Sequence, residues 1–515
     1  MTGATVDHAA AEAEEWSGMN LTMLLEMAAD GFAERTVIGE RASGLSADVL
    51  RKAALRGAEE IRATGADAVV YLAVNGPAFP VAMFAAAYAG VPLVPLNYRL
   101  GVEQLDGLLD RHPRALAIAE PGAEELLAKH DMTALTTAEW LHRTVTEDAV
   151  EPVFVDSDAP AVIIYTSGTT SAPKGVLLRH ENLTSYVLGS VDFASADSDQ
   201  AALVSVPPYH IAAVANVITN LFAGRRTIVL ERFEPAEWLT MVRREGVTNA
   251  LVVPTMLARI VDSGEDMTVP SLRSLAYGGA PMPVTVIQRA LAAWPGVDFV
   301  NAYGLTETSS TVCVLTPEDH RTALTEPDPI AQARLGSVGR AVPGVEIQIR
   351  DAEDREVGPG TRGRICVRGP QVSAEYAGVG RLVDDGGWFD TRDEGYLDAE
   401  GYLFVGGRRD DTIIRGAENI APAEIEEVLF RHVGIADAAV IGVPDEEWGN
   451  RIVAVVVARE GHLVDPEEVR AFVRGTLRSS KTPDEIVLWT EMPRTETGKL
   501  VRRDVVARFQ ASRVG

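Results

Sequence analysis

The chain holds only two cysteines, Cys313 and Cys366, so no disulfide framework ties it together. Lysine is nearly as scarce. Only Lys52, Lys129, Lys174, Lys481 and Lys499 occur, against 42 arginines among 47 basic residues, and three of the five lysines fall inside motif-like segments. Positive charge is outnumbered: 74 acidic residues leave a net charge of −27. A surface of that sign attracts neither nucleic acid nor anionic membrane, which removes both as expected partners. An anionic small substrate stays in play, because a local cationic pocket can outweigh the global field. No long hydrophobic run occurs either. The most apolar region, Phe79 to Leu96, is broken by Pro80, Gly90, Pro92 and Pro95. It predicts a short helix and then a strand, not a membrane span. The N-terminus carries Asp7, Glu12, Glu14 and Glu15 with no basic region before an apolar one, so no signal peptide is expected and the cytoplasm is the expected address.

What is present is a large globular composition. The 515 residues are 46% apolar and 23% charged, which suggests about three structural units with sizeable cores. Helix and strand signals alternate through roughly the first three hundred residues. Ser46 can cap a helix whose face is Leu50, Ala54, Ala58 and Ile61. Strands are predicted at Val69–Val74, Ala115–Ala119, Ala201–Val206, Thr227–Leu230 and Val247–Val253, with helices starting at Pro235 and spanning Val284 to Trp294. Near-continuous apolar strands between helices indicate an α/β fold of parallel sheets covered on both faces. From Gly336 to Val405 short alternating strands between turns replace this pattern and predict a small β-barrel-like subdomain. The polar segment Gly406-Gly-Arg-Arg-Asp-Asp411 then precedes a compact α+β tail. The expected division is residues 1–409, with the β subdomain at 335–406, and a small C-terminal domain at 410–515.

The most informative stretch is Tyr165-Thr-Ser-Gly-Thr-Thr-Ser-Ala-Pro-Lys-Gly175, directly after the strand-like Val162-Ile163-Ile164. Eleven residues contain five hydroxyls besides Tyr165, two glycines and one lysine. Glycine lets a backbone fold around an anion, hydroxyls and N–H groups donate to phosphate oxygens, and lysine adds a point charge. The segment reads as a polyphosphate loop, although no G-x-x-x-x-G-K-[ST] pattern occurs there. Four more motifs follow in order: Asn301-Ala-Tyr-Gly-Leu-Thr-Glu307, Gly387-Trp-Phe-Asp-Thr-Arg-Asp393 read as a loop ending in an acid, Gly407-Arg408-Arg-Asp410 running to Gly416-Ala-Glu-Asn-Ile420, and Pro493-Arg-Thr-Glu-Thr-Gly-Lys499-Leu.

The order and spacing of these five motifs resemble the adenylate-forming superfamily, which includes acyl-CoA and aryl-CoA ligases, luciferases and peptide-synthetase adenylation domains. The resemblance runs from about Leu21 to Arg503. It implies that Thr166, Ser167, Gly168, Thr169, Thr170 and Lys174 hold the ATP β- and γ-phosphates, that Thr306 bonds the α-phosphate, and that Glu307 binds Mg²⁺. A hard cation suits a carboxylate oxygen. Asp393 would accept the ribose hydroxyls, Arg408 would reach ribose or phosphate, and Gly278-Gly279-Ala280-Pro281 would form the adenine wall with Asn301 and Tyr303 opposite. Lys499 would be the catalytic cation, and His210 would lie beside the acyl and thiol tunnels. Asp410 matches a hinge about which a mobile C-terminal domain swings. Gly416, Ala417 and Glu418 match the thiol-tunnel loop, with Ala417 where many relatives have glycine, and Trp448 is placed to stack on the CoA adenine.

The acyl end is less legible. Ala212 and Ala213 are small, Ala302 narrows one wall, and Ser309, Ser310 and Thr311 would make the far end partly polar. Asp484 is expected to repel the CoA phosphates. The function implied is an AMP-forming acid–CoA ligase acting on a carboxylic acid, MgATP and CoA, with a homodimer as the family-level expectation. The alternative is an adenylation enzyme that loads a carrier protein. Amino-acid activators usually place an aspartate in the substrate pocket, and His210-Ile-Ala-Ala offers none.

Overall fold

The first predicted helix forms where its cap stands. Ser46 Oγ accepts from the Val49 N–H, and the helix Ala47–Thr64 buries Leu50, Ala54, Ala58 and Ile61 on one face. That face closes a core against one side of a sheet. In the computed structural model, described for residues 19–145, 156, 158–166, 173–408, 411–415, 418–445, 449–495 and 498–513, this sheet has eight strands. Its strands Val69–Leu72, Leu93–Pro95, Leu116–Ala119, Thr133–Thr136 and Pro160–Thr166 are parallel, Thr133–Thr136 forming one rim. Lys174–Arg179 then turns back antiparallel against Pro160–Thr166, so Thr166 faces Lys174. Side-chain alternation along Val69–Leu72 explains the fully apolar run: Val69 and Tyr71 enter the core shared with the helices, while Val70 and Leu72 enter a second core with Leu105 and Leu108 of the helix Val102–Leu109.

A second sheet of nine strands carries Ala201–Val204, Arg226–Val229, Asn249–Val252, Ser274–Gly278 and Asp298–Leu305 in parallel, with antiparallel strands at its rims. The predicted helices at Pro235–Glu245 and Val284–Ala293 cover it, each observed within a residue or two of its expected start. The helix Ile211–Ala223 is the wall between the two sheets. Its Val214, Val217, Ile218 and Leu221 pack into the first core, and its Ala213 packs into the second. Phe79 to Leu96 is the expected helix and strand, Ala78–Ala89 and Leu93–Pro95, and among the described residues no helix is long and apolar enough to cross a membrane.

The β subdomain is a four-stranded antiparallel sheet, Glu346–Arg350, Gly363–Arg368, Phe389–Leu397 and Leu403–Arg408. Two sequence expectations are corrected here. The segment ending at Asp393 is a strand, not a loop, and its inward residues Phe389, Thr391 and Asp393 alternate with outward ones. Glycine and charge hide that alternation in the sequence. The polar run from Gly406 likewise begins as strand, with Arg408 paired to Asp393 in register. The C-terminal residues have their own cores around the strands Ile435–Asp445, Gly449–Ala458 and Glu485–Trp489 and the helices Pro422–Phe430, Pro466–Thr476 and Arg502–Ala511. Asp465 caps the second of these helices, its side chain accepting from the N–H groups of Glu467 and Glu468.

Candidate active site

Both sheets contribute residues to the candidate site. From the first comes the hairpin with Thr166 at one edge and Lys174 at the other. From the second comes Asp298–Leu305, which runs straight into a short 3₁₀ turn, Thr306–Thr308. The turn exists because Ser309 and Ser310 both take positive φ (53° and 105°), which reverses the chain into the antiparallel strand Ser310–Leu315. Strained backbone of this kind needs surrounding contacts to hold it. Gln371 supplies two of them, donating from Nε2 to the carbonyls of Thr308 (3.0 Å) and Thr311 (2.8 Å). Ala374 N donates to the Glu307 carbonyl at 2.9 Å, and Tyr376 Oη donates to Glu307 Oε1 at 2.7 Å. Glu307 Oε2 carries no hydrogen bond or ion pair to the described residues.

Asp393 is buried on the facing strand. Tyr303 Oη donates to its Oδ2 at 2.6 Å, and Arg408 Nε lies 2.9 Å from its Oδ1. Burial pushes its pKa up, while the Arg408 charge and the Tyr303 hydrogen bond pull it down. A carboxylate has about four lone-pair sites, so both oxygens can still accept from a diol. Gly278 abuts the carbonyl of Ala302, where a Cβ would lie 2.1 Å from the oxygen. Gly279 has φ +81°, a conformation that side-chain-bearing residues rarely adopt, so the Gly278–Pro281 bend is built on glycine for backbone reasons. Asn301 donates its side-chain amide to the Ser337 carbonyl at 3.2 Å, which fixes its orientation.

His210 stands at the start of the helix Ile211–Ala223, its ring 4.7 Å from that of Tyr209. The residue keeps some exposed surface, yet its ring lies deep in the cleft. Loss of hydration there and the nearby Lys499 charge hold its pKa down at about 4, so the imidazole is neutral at physiological pH. Lys499 arrives from the C-terminal residues. By surface area it is exposed, but the cleft walls crowd its ammonium, and this desolvation together with Arg408 lowers its pKa while Asp393, Asp411 and Glu307 act in the opposite direction. Gly498 seats the loop: a Cβ on it would overlap Thr255 Oγ1 at 1.7 Å, and its φ is +71°. Arg494 braces the same loop, donating from Nη1 to the Gly498 carbonyl at 2.6 Å while Asp437 accepts from its Nε at 2.7 Å.

The structure therefore brings Glu307, His210, Tyr303, Asp393, Arg408 and Lys499 near one another. Tyr376 links Glu307, which Thr306 precedes in the chain, to Lys174 and so to its strand partner Thr166, while Asn301 pairs with Tyr277 just before the Gly278, Gly279, Ala280, Pro281 bend. Ser167, Gly168, Thr169, Thr170, Asp410, Gly416, Ala417 and Trp448 lie outside the described residues, as does the side chain of Glu418. Three acyl- and CoA-end expectations change. Ala213 is packed in the second core and opens no space for an acyl group; Ala212 is half-buried beside it. Ser309 is fully buried with its Oγ unpartnered, so it lies beneath the turn surface formed by Ser310 and Thr311. Asp484 is clasped by Arg415 at 2.7 and 2.8 Å and accepts from Ile452 N at 2.8 Å, so its charge is neutralised within the protein. The sequence reading missed Gln371, Tyr376, Asp437 and Arg494. Arg494 lies within the motif that carries Lys499 but was given no role there; Gln371, Tyr376 and Asp437 act through contacts across long chain separations that no local residue pattern announces.

Comparison with known proteins gives the same outline. A family model described as AMP-binding enzyme matches residues 25–377, and one described as AMP-binding enzyme C-terminal domain matches residues 424–499. The chain is 34% identical to a feruloyl-CoA synthase from an Amycolatopsis species, over 92% of this chain and 96% of that protein. It is 33% identical to the fatty acid–[acyl-carrier-protein] ligase ScoC of Streptomyces coeruleorubidus, over 90% and 92%. The solved O-succinylbenzoate coenzyme A synthetase MenE from Bacillus subtilis, in complex with ATP and magnesium ion, superposes with a TM-score of 0.83 at 27% identity, covering 95% of this chain and all of that one.

Proposed function

The chain belongs to the AMP-binding enzymes, and on that premise we propose that it joins a carboxylic acid to AMP and then passes the acyl group to coenzyme A. The observation that carries this reading is the convergence of Lys499 on Asp393, Glu307 and His210 from a separate part of the chain, with Gly498 seated against Thr255.

A carboxylate is already ionised at neutral pH, so its attack on the ATP α-phosphorus needs no general base. The obstacle is repulsion between anions as the pentavalent centre forms, and catalysis consists of positioning plus neutralisation. Lys499 and Arg408 bring two cations to the cleft. Asp393 orients the ribose, and the Thr166–Lys174 hairpin holds the pyrophosphate end. Neutral His210 places a polar ring beside the acyl carbon without adding a competing charge.

Glu307 fits a magnesium ion of the kind that takes most of its ligands from phosphates and water. One oxygen is tied to Tyr376 and the other is uncommitted, and among the described residues no three His, Cys, Asp or Glu side chains cluster as a protein-only cage. When bound, the ion offsets phosphate charge.

The thioester step needs the thiol where Lys499 now lies. We read residues 410–515 as a mobile domain, with Asp410 as its hinge and the Gly416–Glu418 loop as the thiol passage; the separate cores of the C-terminal residues support that reading. We propose a cytoplasmic address on the ground that Cys313 and Cys366 are both free and buried, as in a reducing compartment. A homodimer is the family-level expectation, checked by sedimentation.

The test is a panel of benzoates, phenylpropanoids, indole acids and fatty acids of graded length, followed for pyrophosphate, AMP and thioester, with free CoA against holo-carrier protein as acceptors. Turnover with CoA supports the proposal. ATP consumption seen only with a holo-carrier replaces CoA with a protein thiol, and no AMP from any acid overturns the reading.

A further inference from the structure

The cation-facing carboxylate and the phosphate hairpin belong to different sheets, so something must set their separation. One short segment touches both. Residues 369–376 leave the β subdomain, pass the Thr306–Thr311 turn and end as the strand Glu375–Tyr376, which joins the first sheet between Lys174–Arg179 and the rim strand Gly380–Arg381. On the turn side, Gln371 Nε2 holds two carbonyls, Ala374 N holds the Glu307 carbonyl, and Tyr376 Oη holds Glu307 Oε1. Ala374 makes its contact with φ at +49°, an uncommon value for a residue with a side chain. On the hairpin side, Tyr376 pairs with Val176, Ala377 N donates to the Gly175 carbonyl at 2.8 Å, and Ser373 Oγ donates to the Leu177 carbonyl. Lys174 Nζ sits 5.8 Å from the centre of the Tyr376 ring. A single side chain thus holds one oxygen of the candidate cation ligand and faces the lysine of the phosphate hairpin.

We propose that Tyr376 is the positioning residue of the cation–nucleotide site: its hydroxyl fixes Glu307 Oε1, leaves Oε2 alone to face the cation, and ties that carboxylate at a set distance from the phosphate hairpin. The chemistry recognised is a nucleoside triphosphate carrying a divalent cation, and the inference rests on the reading of this cleft as an ATP site. A carboxylate free to rotate would have to be ordered each time the cation binds. One held at one oxygen is already ordered. A hydrogen bond to a charged group contributes about 1.5–3 kcal/mol, which corresponds to roughly 10- to 100-fold in affinity. Nucleotides lacking the β- and γ-phosphates need neither Glu307 nor Lys174, and AMP should not sense the change.

The test is calorimetric binding by the full-length Tyr376→Phe variant, which keeps the ring and its packing and removes only the hydroxyl. The affinity for ATP with magnesium should fall about tenfold or more, while AMP in the presence of EDTA should bind within about twofold of the native protein. Unchanged affinity for magnesium–ATP, or an equal loss for AMP, overturns the proposal. A double-mutant cycle gives a second check. In a Glu307→Gln background, Tyr376→Phe should cost magnesium–ATP binding nothing further, and a full additive loss there again overturns it. A native protein that binds neither nucleotide defeats the ATP-site reading and this proposal with it, which separates that failure from the others.

Discussion

Tyr303 and Asp393 meet across 2.6 Å between two different sheets, the phenol donating to one carboxylate oxygen while Arg408 holds the other at 2.9 Å. Thr391 Oγ1 accepts from the Asp393 N–H at 3.1 Å, so backbone and side chain of this aspartate are both anchored. Burial alone would favour the protonated carboxyl. Arg408 and Tyr303 oppose it, and the group stays available as an acceptor for paired hydroxyls.

Asp393→Asn should therefore weaken ATP more than the acid. The substitution removes a charged acceptor and leaves Arg408 with no counter-charge at this point. A charge-assisted hydrogen bond lost from a buried site corresponds to roughly 10- to 100-fold. Steady-state pyrophosphate exchange should show the KM for ATP rising by that amount, with the KM for the acid nearly constant. Equal rises in both would place Asp393 outside the nucleotide site.

Lys499→Ala should split the two half-reactions. Loss of one oxyanion-stabilising donor costs about 10²–10³ in rate. Adenylation should fall by that factor, while thioester formation from a supplied acyl-adenylate should stay within about threefold of native, because the lysine is not required once pyrophosphate has left. Single-turnover quenched flow checks both limbs. A comparable loss in thioester formation would contradict the assignment.

Arg494→Gln addresses the brace beneath that lysine. The guanidinium is clamped by Asp437 and in turn holds the Gly498 carbonyl, so it acts on catalysis only through loop geometry. Adenylation should drop roughly tenfold, reflecting a loop displaced from its productive position. The KM for ATP should move little and the melting temperature by only a few degrees. Asp437→Asn should produce a weaker version of the same pattern. A large KM effect with normal kcat would mean that Arg494 contacts the nucleotide instead.

Much of this architecture was legible in residue order. Period-two and near-continuous apolar runs located Val69–Leu72 and Arg226–Val229, and Ser46 marked a helix start by its cap. Glu307, Asp393 and Lys499 drew notice through the motifs that resemble the adenylate-forming superfamily, not through their immediate neighbours. Partnerships between distant residues were not legible. Asp484 looked like a repulsive charge until Arg415, 69 positions earlier in the chain, proved to neutralise it. Tyr376 looked ordinary because its partner Glu307 is likewise 69 positions away. The strand Phe389–Leu397 was hidden by its own content of Asp, Arg and Gly, since sheet pairing overrode weak local preference.

His180 makes the stability of the fold depend on acid. It is almost completely buried, and its Nδ1 accepts the N–H of Leu21 at 3.3 Å, which only the unprotonated nitrogen can do. Burial lowers its pKa from the ordinary 6.5 to about 4, with Asp156 acting weakly the other way. The unfolded chain therefore binds a proton between those two values when the folded chain does not. Stability rises with pH wherever the unfolded state holds more protons, so this contribution is complete above about pH 6.5 and disappears as pH falls toward 4. A depression of that size corresponds to an order of 3 kcal/mol once the lower limit is reached. His210 is lowered to about 4 as well and adds in the same direction. Denaturant titrations from pH 7.5 to 4.5 should show the native protein losing stability steeply below pH 6.5. His180→Gln keeps an acceptor for Leu21 but cannot be protonated, so its loss over the same interval should be shallower by one titrating group. Parallel curves for the two proteins would show that His180 does not titrate between the folded and unfolded states.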